Sequence, residues 1–309
     1  MITRIAKRPE RMDSDLVVKM AERLNAHVEL RKHTQGMSGS QVHLARRKDG
    51  RECVLKVTSL RRDEDVRAAS RELDFYRNLA ERVPVRTPAL LDYFEDSEAI
   101  AMLLSAHGKL EPATSWDKRS WLSLAVDLAR LHGTEVPEPE RWIDDRSPLH
   151  ALREPDMLVV DGFWREDLSA WFDKIIERRE LFEQEILLAG EALVHGDCHT
   201  DNILRDNGAL VWIDWQSTRI GSPALDLAFL DVRATPSGAR IPPEMLATYC
   251  SERGRDLEPM LRSVVAAELS IFIFEWPPYA SFNSPAGIRL VRRRTRYLAE
   301  RWIEIAGLT

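Results

Sequence analysis

The chain has 309 residues, of which 44% are hydrophobic and 30% are charged, and its formal net charge is −6. This composition is that of a globular protein with two domains or two lobes, and it excludes a disordered chain. No apolar run approaches the roughly 20 residues of a membrane span, and the negative charge argues against nucleic acid as a general partner. An N-terminus without the apolar core of a signal peptide and a sparse set of three cysteines predict a cytoplasmic protein. A monomer and a homodimer both remain open.

The first predicted elements are an amphipathic helix up to about Leu30 and a loop rich in glycine and serine. Four apolar residues of the helix recur at helical spacing: Leu16, Met20, Leu24 and Val28. The candidate phosphate-binding residues of the loop are Gly36, Ser38, Gly39 and Ser40. Glycines let backbone N–H groups approach phosphate oxygens and serines add hydroxyl donors, although the chain has no P-loop pattern.

Two strands around a turn follow the loop. Val42 and Leu44 alternate as in a strand, and a second strand covers 52–57 after the turn at Gly50. Because side chains alternate between the two faces of a strand, Lys56 shares a face with Val54, beneath the loop. A lysine in a strand is usually an exposed residue without a functional role, so a role for Lys56 depends on the loop before it and the helix after it.

A helix is predicted from about Asp63 to Arg82. Its apolar stripe consists of Val66, Ala69, Leu73, Tyr76 and Leu79. Glu72 borders this stripe, sixteen residues after Lys56. It can turn inward and pair with Lys56, or it can form a salt bridge on the surface. Glu64, at the solvent-facing start of the helix, is the fallback partner.

Two more strands and a hinge complete the predicted small lobe. The strands cover 90–94 and 99–104, and the segment around Ser105 and His107 leads out of the second one. We assign residues 1–104 to a small lobe, 105–111 to a hinge and 112–309 to a large lobe. The large lobe begins with a core helix from Ser120 to His132, whose last residue lies where a helix dipole favours a cation.

The most informative stretch runs from Val194 to Asp214. It contains an H-x-D-x-x-x-x-N pattern made by His195, Asp197 and Asn202, and Asp214 follows twelve residues later at the end of an apolar run. Two short strands around Asp-Asn-Gly predict a hairpin that brings its two ends together. A carboxylate that orients a hydroxyl, together with an amide and a carboxylate that hold Mg2+, is what phosphoryl transfer needs.

A zinc site is the competing interpretation of the same stretch. His195, Cys198 and His199 lie close together in sequence. No second ligand pair at structural-zinc spacing occurs elsewhere in the chain, which disfavours this interpretation. We expect His195 to be a structural hydrogen-bonding residue beneath the loop rather than an acid or base.

The motif resembles the catalytic loop of protein kinases, and its His-Gly-Asp form followed by Ile-Asp-Trp resembles the aminoglycoside phosphotransferase and choline kinase family. The segment from Gly221 to Ala228 is similar to the Pro-x-x-Asp-Leu-Ala segment of that family. The resemblance implies an α+β, protein-kinase-like fold with two lobes, a small one with an antiparallel sheet and one helix and a larger, mainly helical one. It also implies that Lys56, set by Glu72, holds the phosphates of a nucleotide whose base is read by the backbone around Ser105 and His107.

The family also directs attention to an acceptor site in the large lobe. Residues 140–189 carry 13 acidic and seven basic side chains and several aromatic ones, which suits either a site for a cationic acceptor or a solvated helical pair with a tryptophan-lined core. The chain after Asp226 is predicted to be helical, and its candidate acceptor residues are Asp231, Glu268, Glu275 and Trp276. The arginines from Arg292 to Arg296 are interpreted as a solvated helix face.

These observations predict an ATP- and Mg2+-dependent kinase of a hydroxyl on a small molecule, with GTP as an alternative nucleotide. Asp197 is the expected catalytic residue, and Asn202 and Asp214 are the expected Mg2+ ligands. The favoured acceptor is a cationic antibiotic, an aminoglycoside or a basic peptide, so that the enzyme confers resistance. Amino alcohols, amino sugars and macrolides are alternatives, as are a nucleotide-binding regulatory module without turnover and a protein kinase, which the absence of an Ala-Pro-Glu segment disfavours.

Overall fold

The computed structural model describes residues 14–35, 40–144 and 149–308, with the side chains of 29–35 left out. Its tertiary contacts divide the chain into two compact units. The sheet unit holds the described residues up to Lys109 together with Ile203–Thr218. The helical unit holds Leu110–Asn202 and the described residues from Arg219 onward. The predicted large lobe includes 203–218, so the units and the predicted lobes differ over this segment, and the lobe and hinge boundaries stay a prediction.

The described residues form both strands and helices. The strands are β1 Ala26–Gln35, β2 Ser40–Arg47, β3 Glu52–Ser59, β4 Leu90–Glu95, β5 Ala99–Ser105, β6 Lys109–Leu110, β7 Ala192–Val194, β8 Ile203–Asp206, β9 Ala209–Trp212 and β10 Arg219–Gly221. The α-helices are α1 Ser14–Arg23, α2 Asp63–Asn78, α3 Lys118–Leu131, α4 His150–Arg153, α5 Met157–Trp164, α6 Phe172–Glu177, α7 Glu180–Leu187, α8 Pro223–Ala234, α9 Glu244–Arg253, α10 Leu257–Ser270 and α11 Pro285–Ile305.

A five-stranded antiparallel sheet in the order β1-β2-β3-β5-β4 dominates the sheet unit. α1 covers one face, where its Val17 and Met20 pack in one core with Cys53, Leu55 and Val57 of β3. Burial of this apolar surface is the main favourable term that holds the helix to the sheet. Since the side chains of β3 alternate, Lys56 projects from the opposite face, as predicted.

The predicted N-terminal helix is wrong beyond Arg23. Asn25 adopts a left-handed conformation with φ of 52°, which asparagine tolerates at the end of a helix. The chain then continues as β1, in which Val28 pairs with Ala45 of β2. Pairing in the sheet satisfies the backbone groups of this segment, so the four-residue spacing of Val28 from Leu24 spans the end of the helix instead of extending it.

The predicted hairpin is present as β8 and β9, which pair in antiparallel register. Asn207 and Gly208 connect them with φ of 52° and 84°. Two consecutive residues with positive φ are what a two-residue type I′ turn requires. Gly108 packs so close to this hairpin that an added Cβ would lie 1.9 Å from the carbonyl oxygen of Arg205, so no other residue fits there.

α10 lies at the centre of the helical unit, in contact with α7, α8 and α11. It continues into a π-helical turn, Ile271–Glu275, in which the N–H of Trp276 bonds to the carbonyl of Ile271 at 2.9 Å. Four tryptophans are fully buried in this unit: Trp121, Trp142, Trp164 and Trp302. The three cysteines of the chain are free and buried. None of the described helices is long and apolar enough to cross a membrane.

Candidate active site

The segment with the H-x-D-x-x-x-x-N pattern forms a loop after β7 in the helical unit. Asp226, in the first turn of α8, accepts hydrogen bonds from the backbone N–H groups of His195 and Gly196 at 2.7 and 2.9 Å. Gly196 has φ of 79°, a conformation that favours glycine. A buried carboxylate that accepts two backbone amides therefore fixes the path of the chain immediately before Asp197.

Asp226 is held in turn by His132, which itself contacts Tyr249 of α9. His132, at the end of α3, places Nε2 at 3.2 Å from Asp226 Oδ2, and its Nδ1 lies 2.9 Å from the hydroxyl of Tyr249. Burial would raise the pKa of Asp226, but His132, His195 and the amide of Gly196 lower it below its ordinary value. His132 therefore has direct hydrogen-bonding partners in addition to its place at a helix end.

Asp197 is surrounded by groups that stabilise its ionised form. Burial alone would raise its pKa, but the hydrogen bond and charge of His199, with smaller contributions from His195 and Arg233, lower the pKa to about 2. Nε2 of His199 lies 3.5 Å from Asp197 Oδ1. A carboxylate of such low pKa is a weak base but a strong hydrogen-bond acceptor, so it is suited to orienting a hydroxyl before it takes the proton.

Asn202 fixes Asp197 from the other side of the loop. Its Nδ2 donates to the backbone carbonyl of Asp197 at 2.8 Å and to its Oδ2 at 3.0 Å. Both hydrogen bonds use the nitrogen of the amide, which leaves Oδ1 for another partner. Amide oxygens are ligands that hard divalent cations accept.

The two histidines of the loop have hydrogen bonds that disfavour the zinc interpretation. Nδ1 of His195 accepts the N–H of Asp197 at 3.3 Å, and Nδ1 of His199 accepts the N–H of Asp201 at 3.2 Å. Each Nδ1 is thereby occupied by a backbone amide of the loop and is not available to a metal ion. Cys198 is buried, and burial together with Asp226 raises the pKa of its thiol, which disfavours a thiolate ligand.

A compact charge centre lies in the sheet unit. Nζ of Lys56 is 2.6 Å from Glu72 Oε2, so the predicted ion pair is present, and it is equally 2.6 Å from Asp214 Oδ1. Burial opposes the charge of the ammonium, but the two carboxylates outweigh this effect and hold the pKa of Lys56 above its ordinary value. One cation against two carboxylates leaves a net negative charge, which suits the approach of a divalent cation.

Asp214 has an unusual backbone conformation and a rigid neighbour. Its φ of 66° and ψ of 57° lie in the left-handed region, which aspartate tolerates better than most residues. The next residue, Trp215, stacks on Phe75 of α2 with ring centroids 4.0 Å apart and planes 8° apart. Its indole N–H donates to the carbonyl of Trp212 at 3.1 Å. The tryptophan of Ile-Asp-Trp therefore anchors the segment that carries Asp214 to the same helix as Glu72.

Other predicted nucleotide-binding side chains are engaged within the sheet unit. The hydroxyl of Ser40 lies 2.7 Å from that of Thr58 on the next strand. Ser105 Oγ accepts the N–H of Ala89 at 2.8 Å and lies 2.8 Å from His107 Nε2. The role of these residues in nucleotide binding stays a prediction. Gly36, Ser38 and Gly39 lie outside the described residues.

The four candidate acceptor residues fall into two groups in the helical unit. Glu268 is buried and pairs with Arg294 of α11 through two contacts of 2.6 Å, and Asp231 lies 4.0 Å from the same guanidinium group. Glu275 ends the π-helical turn, and burial, only weakly opposed by Arg219, raises its pKa to about 7. Trp276 is buried, 5.7 Å from the ring of Phe163.

Tyr279 is affected by the charges of both Glu275 and Asp197 and was not apparent from the sequence. Burial raises its pKa, and the charges of Glu275 and Asp197 raise it further, so its hydroxyl lies within electrostatic range of both carboxylates. The only sequence signal was its position next to the two prolines that end the helix. Arg233 was also missed, although it lies seven residues after Asp226, on the same face of α8.

Six of the 13 acids of segment 140–189 are paired with arginines. The pairs are Glu183 with Arg153, Asp161 and Asp173 with Arg165, Glu180 with Arg178, Glu185 with Arg262, and Asp167 with Arg292 and Arg296. The aromatic residues Trp142, Trp164 and Phe172 are buried. These contacts favour the interpretation as paired helices with a tryptophan-lined core. Among the arginines of α11 that we predicted as a solvated face, Arg293 and Arg296 are exposed, and Arg292, Arg294 and Arg296 are in ion pairs.

The profile of the phosphotransferase enzyme family (APH) matches residues 29–261, three quarters of the chain, including the catalytic loop and the Lys56 centre. The chain belongs to the phosphotransferase enzyme family. No curated protein is significantly similar to this phosphotransferase in sequence. The predicted family is confirmed, and the chain is an enzyme of the small-molecule kinase class.

Solved structures show the fold of this phosphotransferase. An amicoumacin kinase in complex with AMP-PNP and Ca2+ is 14% identical, with a TM-score of 0.60 and 94% of each chain covered. A macrolide 2'-phosphotransferase from Brachybacterium faecium is 23% identical, with a TM-score of 0.56 and coverage of 92% of this chain and 96% of the other. A choline kinase from Cryptosporidium parvum is 12% identical, with a TM-score of 0.62 and coverage of 96% and 97%. These likenesses confirm the predicted protein-kinase-like fold class.

Proposed function

We propose that this phosphotransferase transfers the terminal phosphate of ATP to a hydroxyl of a small molecule, with Mg2+ as the metal ion and GTP as the alternative nucleotide. The observation that carries this proposal is the ionised Asp197, held by His199 and Asn202 in a loop that Asp226 anchors. The fold neighbour with AMP-PNP and the family match support a nucleotide donor.

Each polar residue then has a distinct task. Asp197 accepts the hydrogen bond of the acceptor hydroxyl and orients its oxygen. It takes the proton as the bond from this oxygen to the γ-phosphorus forms and the bond from the γ-phosphorus to the departing nucleoside diphosphate breaks. Lys56, positioned by Glu72, binds phosphate oxygens, and this exchange of partners frees Asp214 Oδ1. Asp214 and Oδ1 of Asn202 are the proposed oxygen ligands of Mg2+, which neutralises phosphate charge when bound. The protein contributes positioning and electrostatic stabilisation, without a covalent intermediate on the enzyme.

We propose a cationic acceptor, with a cationic antibiotic as the leading class and resistance as the consequence. Glu275 supports this choice because its carboxyl has a pKa of about 7, and a bound cation would shift it to the ionised form. It lies in a π-helical turn, a feature that is frequent at functional sites. Amino alcohols, amino sugars and macrolides are the alternative acceptors that an assay must include.

The first test compares Asp197→Asn with the wild type in nucleoside diphosphate release. A panel of aminoglycosides, basic peptides, macrolides and amino alcohols serves as acceptors, with Mg-ATP or Mg-GTP. We expect one acceptor to stimulate release and the variant to lose roughly 10²–10⁴-fold of that turnover, because the orienting carboxylate is gone. Nucleotide affinity should be unchanged. Asp201→Asn, an exposed acid of the same loop, is the matched control, and equal loss in both variants would refute the role of Asp197.

The second test uses the pH dependence of acceptor binding. Above pH 7 the carboxyl of wild-type Glu275 is ionised, so a cationic acceptor should have a lower KM at pH 8 than at pH 6. Glu275→Gln cannot ionise, and we expect its KM to be several-fold higher at pH 8 and nearly independent of pH. An unchanged pH profile in this variant would contradict a cationic acceptor at Glu275 and would leave the phosphotransfer proposal intact.

A further inference from the structure

A cavity of about 630 Å³ opens beside α11 in the helical unit. Its polar lining consists of Arg289, Arg292, Arg293 and Arg296, together with Asp167 from the turn between α5 and α6. Pockets that bind small molecules are typically about 300–1,000 Å³. Neither Asp197 nor any residue assigned above to nucleotide or metal lines this cavity, so its chemistry is not explained by phosphotransfer.

The four arginines lie on one face of α11, because they are spaced by three, one and three residues. Like charges three and four residues apart on a helix repel each other. The helix therefore concentrates positive charge on one face at a cost to its own stability. A group that neutralises this charge would relieve the repulsion.

Asp167 supplies only part of that neutralisation. Its Oδ2 lies 2.8 Å from Nη1 of Arg292, and its Oδ1 lies 3.3 Å from Nη1 of Arg296. Arg289 and Arg293 are exposed and form no ion pair within the described part of the chain. One carboxylate thus faces four guanidinium groups, and the cavity keeps a positive charge.

Packing holds at least one of these arginines in place before any ligand arrives. The guanidinium group of Arg292 lies 4.8 Å above the ring of Phe163, an arrangement that stabilises the cation. Its Nε is buried and has no hydrogen-bond acceptor among the residues that the structure describes. Arg292 is therefore ordered by a ring and a carboxylate while one of its donors stays unsatisfied.

We propose that this cavity is a binding site for a small polyvalent oxyanion, a phosphate-bearing ligand of the size of pyrophosphate. Guanidinium groups match phosphate oxygens in bidentate geometry and keep their charge at any physiological pH. The concave shape and the carboxylate of Asp167 favour a small ligand over a nucleic-acid backbone, which would need an open basic surface. Free phosphate anions and phosphate monoesters share this chemistry.

The experiment is a calorimetric titration of the full chain with sodium pyrophosphate, inorganic phosphate and glycerol phosphate. EDTA is present so that no metal–pyrophosphate complex forms, and sodium chloride keeps the ionic strength equal. The test variant is Arg289→Gln with Arg293→Gln, which leaves both contacts of Asp167 in place. The control variant is Arg119→Gln with Arg240→Gln, two exposed arginines of the same unit.

We expect saturable binding of one anion, weakened about tenfold or more in the test variant and unchanged in the control, because charge-assisted hydrogen bonds are lost. The same anion should raise the thermal unfolding temperature of the wild type and of the control variant, and should raise that of the test variant less. Tighter binding of pyrophosphate or inorganic phosphate would indicate a free phosphate anion as the ligand, and tighter binding of glycerol phosphate would indicate a phosphate monoester. No saturable binding, or equal weakening in both variants, would overturn the proposal. Displacement of pyrophosphate by a single-stranded oligonucleotide with affinity that rises with its length would also overturn it, in favour of a nucleic-acid surface.

Discussion

Two charge centres of the molecule each consist of one basic side chain, one glutamate and one aspartate, but the basic group contacts its two carboxylates equally in one centre and unequally in the other. In the sheet unit, Lys56 stands between a glutamate whose side chain is 1% exposed, Glu72, and an aspartate that is 22% exposed, Asp214. The ammonium is 2.6 Å from both carboxylates. Because an ammonium is a compact point charge, it can exchange one of these partners for a phosphate oxygen and keep the other.

The second centre, in the helical unit, distributes its contacts unequally. Both nitrogens of the Arg294 fork are 2.6 Å from Glu268, which is 1% exposed, whereas Asp231 remains 4.0 Å away. Burial and the charge of Glu268 raise the pKa of Asp231 to about 7 despite the arginine. A planar fork that is satisfied by one carboxylate leaves the other to titrate.

The difference shows that charge composition alone does not identify a functional site. The shared lysine is poised to change partners, and the aspartate beside it has a left-handed backbone. The arginine is committed to one glutamate, which stabilises packing between α10 and α11. We therefore expect the first centre to affect turnover and the second to affect mainly stability.

The largest effect should come from Lys56→Met, which removes the cation between two carboxylates. We expect kcat to fall by about 10²–10³ because the phosphates lose their cation, and stability to fall by about 3–5 kcal/mol because Glu72 is left buried without a partner. Steady-state kinetics and urea unfolding measure the two effects. Lys56→Arg keeps the charge and should recover stability more than turnover. Full turnover in Lys56→Met would contradict the expectation that the Lys56 centre acts in phosphate transfer.

Arg294→Met should have a smaller effect, confined to stability. Glu268 would lose its cation, which should lower the free energy of unfolding by about 3 kcal/mol. This value is at the low end for a buried ion pair because the side chain of Arg294 is partly exposed. The nucleotide KM should remain that of the wild type. Arg293→Met, the exposed neighbour on the same helix, should change stability little. A loss of nucleotide affinity in Arg294→Met would show that the second centre is not merely structural.

Asp231→Asn should have the smallest effect, visible only as a pH dependence. With a folded pKa of about 7, wild-type Asp231 keeps a proton that the unfolded chain has released. The contribution of Asp231 to the free energy of unfolding is therefore fully present at low pH and is lost as the pH rises from about 4 through 7. We expect the variant to gain about 1–2 kcal/mol relative to wild type between pH 5 and pH 8 in urea unfolding, allowing for partial solvent access. The exposed control Asp173→Asn should show no such gain.

Local signals account for what the sequence predicted well. The Asn-Gly turn of the hairpin follows from residues that accept positive φ, and the inward position of Lys56 follows from strand alternation. The pairing of Lys56 with Glu72 was predictable because the apolar stripe of α2 fixes which side of the helix faces the sheet. The candidate catalytic loop was also predictable, because the residues of the H-x-D-x-x-x-x-N pattern lie close together in the sequence.

Contacts between distant segments were not predictable from the sequence. Glu268 was expected to face an acceptor, but Arg294, twenty-six residues later, binds it, and no periodicity reports such a pair. The stacking of Trp215 on Phe75 likewise joins two segments that are far apart in the sequence, so no local pattern indicates it. The error at the N-terminus was different, because one apolar residue at four-residue spacing suits a helix and a strand alike.

The buried thiols give each unit its own reporter of local opening. Cys53 lies in the core of the sheet unit, whereas Cys198 follows Asp197 in the catalytic loop and Cys250 lies in α9. A thiol that is shielded in the native state reacts with a small alkylating reagent only when its surroundings open. Alkylation rates at the three positions, resolved by mass spectrometry, would therefore measure how often the sheet, the loop and the helical core open, without a single added label.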